Sequence, residues 1–248
     1  MLLSNTKILV SGCGITYSKQ QLKTWANILQ LAGCHILDVG GPAVSNQWIV
    51  NKTFLALQQH IDIKTAIVQL TGLAKLDVDV DQERIDQLVT PDPLRNFIID
   101  HDFQVKSQEQ ITGSGVWPSS FSSHHESKKQ WRKWLFSPAL EKEDLYCKLV
   151  LLDNYCQQHQ IKLYVYQGYE ISWTQSQTLN LQNIIENIDT CWYPEYVKSS
   201  HYQQHNHQNS NTVPCMGYQI ELSCMVGKKL PEPVQNKLIK FKSTHDRN

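Results

Sequence analysis

The apolar positions of the first half of the chain fall in two alternating rhythms. Lys7-Ile8-Leu9-Val10 is a short apolar run ended by Ser11-Gly12-Cys13-Gly14. Such a run suits a strand buried on both faces. Leu22, Trp25, Ala26 and Leu29 then recur at i, i+3, i+4 and i+7, which marks one face of a helix. Gly33 lies just past its end, where a left-handed cap is wanted. His35–Val39 reads as a second strand, stopped by Gly40-Gly41-Pro42. Ser45 or Asn46 caps a predicted helix running to about Gln59, with Trp48, Ile49, Leu55 and Leu57 inward. Thr65–Leu70 is a third strand, closed by Thr71-Gly72. This β-α-β-α-β order predicts parallel strands joined by right-handed crossovers.

The second half is less regular. Asp77, Asp79 and Asp81 alternate with Val78 and Val80, a short helix is expected over Glu83–Val89, and Pro91 and Pro93 break it. Residues 96–123 form a long insertion ending in Gly113–Ser120, and a loop of that length in a compact domain is usually functional or disordered. Trp117 within it favours an ordered flap. Helices are predicted over 125–136, where Trp131 and Trp134 pack, and over 141–159, where Leu145, Leu149, Leu152 and Cys156 make an apolar stripe. Ile161–Tyr166 is a fourth strand ended by Gly168, and a helix over 177–188 follows. The segment 198–212 is rich in Ser, His, Gln and Asn and is expected to be mobile. Tyr218–Ser223 is predicted as a last strand. Pro231 and Pro233 open a final helix with Val234, Leu238, Ile239 and Phe241 inward. Neither a repeat nor a linker interrupts the chain, so residues 1–248 are expected to form a single α/β domain.

Charge narrows the function classes. Lys and Arg number 23, Asp and Glu 23, and only 19% of the 248 residues are charged. A net charge of zero provides no long-range field to steer a polyanion, which argues against nucleic acid as a partner. No stretch approaches the ~18 to 20 apolar residues that cross a bilayer, and the first residues lack the pattern of a signal peptide. The seven cysteines include no C-x-x-C pair, which argues against a zinc ribbon or thioredoxin-type site. Their odd number points to a reducing, cytoplasmic setting, with most of the thiols acting as small core residues.

Three strand ends carry small polar turns: Ser11–Thr16, Gly40–Asn46 and Thr71-Gly72. In a doubly wound sheet, ligands bind beyond the carboxyl ends of the strands, and helix N-termini after such turns offer N–H groups to an anion or oxyanion. Gly12, Cys13, Gly14, Thr16, Gly41, Ser45, Asn46 and Thr71 are therefore the candidate pocket residues. Gly12-Cys13-Gly14 also begins like a G-x-G-x-x-G dinucleotide fingerprint, with Asp38 as the ribose-binding acid. The third glycine is replaced by Tyr17, where helix packing needs a small residue, so nucleotide binding is only an alternative reading. His201 and His205 have zinc-like i, i+4 spacing but a loop-like composition. Asp77-Val78-Asp79-Val80-Asp81 lacks the glycine and distal glutamate of a calcium loop. No metal or cofactor is expected. His124 and His125 are read as a helix start, and Trp117 and Trp192 as candidates for contacting a sugar or aromatic ligand.

Ser11-Gly12-Cys13-Gly14-Ile15-Thr16 resembles the first block of the SGNH (GDSL-type) hydrolases, Gly-Asp-Ser-x-Thr. Asp38–Asn46 is similar to their second block, where a glycine N–H serves the oxyanion hole. Val68–Gly72 sits where their third strand ends in a block bearing an asparagine, and Leu230-Pro231-Glu232-Pro233 is similar to their terminal Asp-x-x-His-Pro. The resemblance implies a three-layer, flavodoxin-like fold with a mostly parallel sheet, and hydrolysis of acyl or carbohydrate esters. It also implies that this chemistry is altered here. Gly14 falls on the nucleophile, Leu230 on the histidine and Gly227 on the aspartate, and the asparagine has no clear equivalent. Glycine and leucine supply neither a nucleophile nor a base. The alternative is a non-catalytic protein that keeps the pocket for a small ligand or partner.

Overall fold

The computed structural model describes residues 7–13, 15–16, 24–41, 44–73, 76–79, 114–117, 137–199 and 215–246. Gly14, Leu22, Pro42, the expected helices over 83–89 and 125–136, His124, His125, Trp131, Trp134, His201 and His205 lie outside them. Four strands form one parallel sheet in the order β2-β1-β3-β6: β1 Lys7–Ser11, β2 His35–Asp38, β3 Ile63–Leu70 and β6 Lys162–Gln167. The chain winds outward from β1 in both directions, so the strand order reverses between β1 and β3. A crevice opens at such a reversal, beyond the carboxyl ends of those two strands. This is the parallel α/β arrangement expected from the alternating pattern and the flavodoxin-like fold that the resemblance implies.

The central strands β1 and β3 are buried on both faces because Ile8-Leu9-Val10 and Ala66-Ile67-Val68 are apolar at consecutive rather than alternate positions. Leu9, Ala66, Val68 and Val165 pack on one side under α2 (Asn46–Gln59), α3 (Pro138–Gln158) and α4 (Gln175–Leu181). Ile8, Val10, Ile67 and Tyr166 pack on the other side under α1 (Trp25–Leu31), α5 (Trp192–Lys198), α6 (Met216–Gly227) and α7 (Glu232–His245). The helices start where the sequence supplies caps. Thr24 and Asn27 form a capping box on α1, and Ser45 caps α2. Ser137 and Pro138 open α3 three residues ahead of the predicted start. Gly33 takes φ +98°, the left-handed turn that ends α1.

Several expectations are corrected. Tyr218–Ser223 is not a strand but the middle of α6. Gly217, Tyr218, Gln219, Ile220, Leu222, Ser223 and Val226 of that helix are all buried, so it is apolar nearly all round, and a six-residue window of it imitates a strand. The helix expected over 177–188 ends at Leu181, because Ile185 then pairs in parallel with Val165 and extends the sheet edge. Leu55 and Ile239 point outward, at 47% and 62% exposure. Part of the mid-chain insertion is ordered: β5 (Ser114–Trp117) pairs antiparallel with β4 (Leu76–Asp79). Trp117 therefore lies in a strand, and so do Asp77, Val78 and Asp79. Lys198 closes α5, so the segment expected to be mobile begins inside a helix. Cys13, Cys34 and Cys156 are buried and half-buried Cys215 and Cys224 pack against the core, as expected for most of the thiols, while Cys147 is exposed. Among the described residues, no helix is long and apolar enough to cross a membrane.

Candidate functional site

The carboxyl ends of β1 and β3 meet around one side chain that the sequence reading did not single out. Gln69 sits in β3 between Val68 and Leu70 and is fully buried. A buried polar group must find partners inside the fold. Its Oε1 accepts from the Cys13 backbone N–H at 3.1 Å, the Cys13 Sγ–H at 3.4 Å and the Thr16 hydroxyl at 3.1 Å. Its Nε2 donates to the Leu70 carbonyl. The Trp25 indole N–H in turn donates to Thr16 Oγ1 at 3.2 Å. The turn after β1 is thus stitched to β3 by one amide and to α1 by one indole. Gly12 is required there by close approach: a Cβ would stand 2.8 Å from Thr16 Cβ and 2.9 Å from Gln69 Cβ.

The second and third turns are bonded to each other and to the first. Gly41 N–H donates to Gly12 O at 3.0 Å, which carries the β1–β2 pairing past the strands. Ser45 Oγ accepts from Trp48 N–H as the cap of α2. Asn46 clasps Thr71 at both backbone groups, with Nδ2 donating to Thr71 O at 2.8 Å and Oδ1 accepting from Thr71 N–H at 2.7 Å. The structure therefore brings Gly12, Cys13, Thr16, Gly41, Ser45, Asn46 and Thr71 to one edge of the sheet. All seven are buried, and their known bonds hold the turns together. The exception is the Thr71 hydroxyl, a buried oxygen with no hydrogen-bond partner among the described residues. The N–H groups expected at the start of α1 are also occupied: Thr24 and Asn27 close its first turn and Gln219 Oε1 accepts from Trp25 N–H at 2.9 Å.

Two tyrosines complete this edge. Gly168 follows β6 and accepts from Tyr193 N–H at 2.8 Å, and Tyr169 comes next. The two tyrosine rings stack at 5.1 Å and 23°. Tyr169 packs against both halves of the core, and its Cβ lies 3.9 Å from the Cβ position of Gly72. Burial raises the Tyr169 phenol above its ordinary pKa, and the nearby Cys13 and Tyr193 act in the same direction. At the end of β2, Asp38 Oδ1 accepts from Gly40 N–H at 2.8 Å. Partial burial raises the Asp38 carboxyl, and the Gly40 bond opposes that rise.

The positions aligned with the hydrolase acid and base do not join this edge. α6 begins there, where Gln219 Nε2 donates to Ile15 O at 3.3 Å. It then runs away for two turns, about 12 Å at 1.5 Å per residue, before Gly227 ends it. Leu230 is buried in the core beyond that point, and Gly227 packs against the Leu238 side chain. Both positions serve packing. Of the described histidines, His35 opens β2 and His60 meets Lys7 at the opposite, amino edge, while His159 and His245 end helices. Trp192, expected to contact a ligand, is instead 3% exposed and packs edge-on against Trp25 at 5.6 Å. Among the described residues, no group of three His, Cys, Asp or Glu side chains is placed to hold a metal ion.

No family model matches the chain, and no curated protein matches it. Among solved structures, one described as "Crystal Structure of TesA" is similar over 92% of this chain and 99% of its own, at 11% identity and a TM-score of 0.46. A similarity that low carries no residue role from one chain to the other.

Proposed function

We propose that the protein is an SGNH-like α/β protein that binds a small molecule at the carboxyl edge of its sheet and does not run serine acyl transfer. The observation that carries this reading is Gln69 Oε1. The thiol and the hydroxyl closest in sequence to the nucleophile position, Cys13 and Thr16, both donate to it. A neutral amide oxygen accepts a hydrogen bond but does not take the proton, as the imidazole of a catalytic triad does. Gly14 occupies the nucleophile position itself. The crevice at the strand-order reversal, rimmed by half-buried Tyr169 and Gly72, remains a place for an uncharged or weakly polar ligand, with esters and their hydroxyl or acyl fragments as the class implied by the resemblance. The free state of all seven thiols fits a reducing, cytoplasmic setting.

Two measurements test the reading. The full chain is treated with a fluorophosphonate probe and with p-nitrophenyl acetate. The expected result is no covalent label and hydrolysis at the buffer rate. Stoichiometric labelling, or turnover that scales with protein and survives Cys13→Ala, overturns it. A thermal-shift panel of short acyl and carbohydrate esters, with NAD, FAD and S-adenosylmethionine as the alternative class, tests binding. A ligand at about 100 times its dissociation constant adds about 2.7 kcal/mol to stability. Stabilisation by the nucleotides and by none of the esters reverses the assignment.

A further inference from the structure

The seam between the second half of α1 and α7 holds a second concavity, away from the carboxyl edge. It has a volume of about 470 Å³, within the ~300 to 1,000 Å³ of small-molecule sites. Its floor is apolar: Ile28, Ala32 and Leu238 are buried, and Phe241 is half-buried beside them. Leu31 stands at its rim with 56% of its surface exposed. The charged groups that line it are Lys237 and Lys240, with His245 beside them, 4.0 Å from Asp246 Oδ1, and among the described residues no carboxylate lines it. Neighbouring lysines are paired, Lys242 with Glu221 at 3.7 Å and Lys229 with Glu186 at 2.6 Å. Lys237 and Lys240 have no ion-pair partner among the described residues. Lys237 Nζ lies 2.9 Å from the Cβ position of Gly33, so it reaches across to the end of α1. Its field extends under the floor to Cys34: burial pushes that thiol up to about 11, and Lys237 acts against the rise.

In a chain of zero net charge, two unpaired lysines beside an apolar floor form a local feature rather than a generally basic surface. Two cations do not make the phosphate-tracking stripe that nucleic acid needs. An apolar tail with one anionic head complements both parts of the groove. We infer that the α1/α7 groove binds a single-chain alkyl carboxylate, with its tail on Ile28, Ala32, Leu238 and Phe241 and its carboxylate at Lys237 and Lys240.

Titration calorimetry of the full chain with octanoate, decanoate and dodecanoate tests this. One saturable site is expected, tightening about fourfold per added methylene while the groove fills. Lys237→Glu with Lys240→Glu is expected to weaken decanoate at least tenfold with an unchanged circular dichroism spectrum, since both side chains lie on the outer surface. Methyl decanoate is expected to bind at least tenfold more weakly than decanoate. Leu31→Asp, at an exposed position, is expected to flatten the chain-length dependence. Absence of saturable heat, equal binding by the charge-reversed variant, or equal affinity for the methyl ester overturns the inference. Co-sedimentation with phosphatidylglycerol vesicles without saturable decanoate binding assigns the face to a lipid surface and also overturns it. Thr71→Val is expected to leave decanoate binding unchanged. A loss in that variant moves the ligand to the carboxyl edge and separates failure here from failure of the proposed function.

Discussion

Two buried glutamines near the ends of neighbouring strands carry most of their side-chain hydrogen bonds on opposite ends of the amide. Gln69 in β3 collects three donors on its oxygen. Gln167, the last residue of β6, spends its amino group on three carbonyls, at Ile188 (2.8 Å), Thr190 (3.2 Å) and Asn187 (3.3 Å), and its oxygen accepts from the Trp173 indole at 2.8 Å. Asn187 returns the favour by accepting from Gln167 N–H at 2.7 Å. The surroundings decide which end is used. β1 presents a turn rich in donors to Gln69, whereas the loop after Ile185 presents carbonyls to Gln167. The surroundings also differ in access to water. Cys13 and Thr16 are sealed in, while Thr190 is exposed and Asn187 half-buried.

That difference sets the largest expected effect. Gln69→Leu leaves the Cys13 N–H and the Thr16 hydroxyl without an acceptor in a dry site. At about 1 to 3 kcal/mol for each unsatisfied buried group, a loss of about 3 kcal/mol or more is expected in urea unfolding. Gln167→Leu frees carbonyls that water can reach, so a smaller loss of about 1 to 2 kcal/mol is expected. Equal losses would mean that water reaches both strand ends alike, and would break the contrast.

The two hubs also show what could be read from the chain alone. β1, α1, β2, α2 and β3 were legible because short apolar runs alternate with 3.6-residue periods and each helix has its own cap. The three turns were legible as an edge, since small residues end the apolar runs. Gln69 was not singled out, although a signal existed. A strand buried on both faces carries no solvent-facing position, so a glutamine inside Ile67-Val68-Gln69-Leu70 had to be bonded internally. Tyr169 and Tyr193 were missed because they meet only through tertiary structure, 24 positions apart. Trp192 was misjudged because it follows an irregular segment, where a residue that opens a buried helix looks like a loop residue. The equivalence of Leu230 with a catalytic base rested on one proline-containing stretch, and the length of α6 carries that stretch away from the edge.

Smaller changes probe the Gln69 hub from either side. Gly12→Ala places a methyl against Thr16 and Gln69, whose Cβ atoms would lie 2.8 and 2.9 Å away. Overpacking of this kind costs about 1 to 3 kcal/mol, and the Gln69→Leu background is expected to absorb part of it, because Thr16, freed of its hydrogen bond to the amide, can shift away from the added methyl. A double-mutant cycle measures that coupling, and additive losses would mean that the clash is with the turn itself. Thr71→Val has the opposite sign. It removes a buried hydroxyl with no partner among the described residues, while the Asn46 clasp, made only to the Thr71 backbone, persists. A gain of about 1 kcal/mol in thermal or urea unfolding is expected. A loss would show that the hydroxyl has a bonded partner in solution and would draw Thr71 into the hub.

The smallest effect asks whether the neutral hydrogen bonding of this edge extends to the Asp38 carboxylate at the end of β2. Asp38 has its pKa raised in the folded state by burial, against the pull of Gly40 N–H. A raised folded-state pKa means that the folded protein holds the proton more tightly than the unfolded chain. The resulting stability is fully present below the unfolded value, about 3.9, and is lost as the pH rises through the higher folded value. Above that window the ionised wild type carries the penalty. Asn at position 38 keeps an oxygen to accept from Gly40 N–H and never ionises. Asp38→Asn is therefore expected to melt slightly higher than wild type at pH 7, with the difference shrinking towards zero as the pH falls below 4. Because part of the Asp38 side chain stays in contact with solvent, the stability difference is expected to be small, and its pH dependence is the informative readout. A variant less stable than wild type at pH 7, with the gap closing in acid, would mean that the carboxylate is held by a cation. The edge around Gln69 would then include a charged group as well as its amides and hydroxyls.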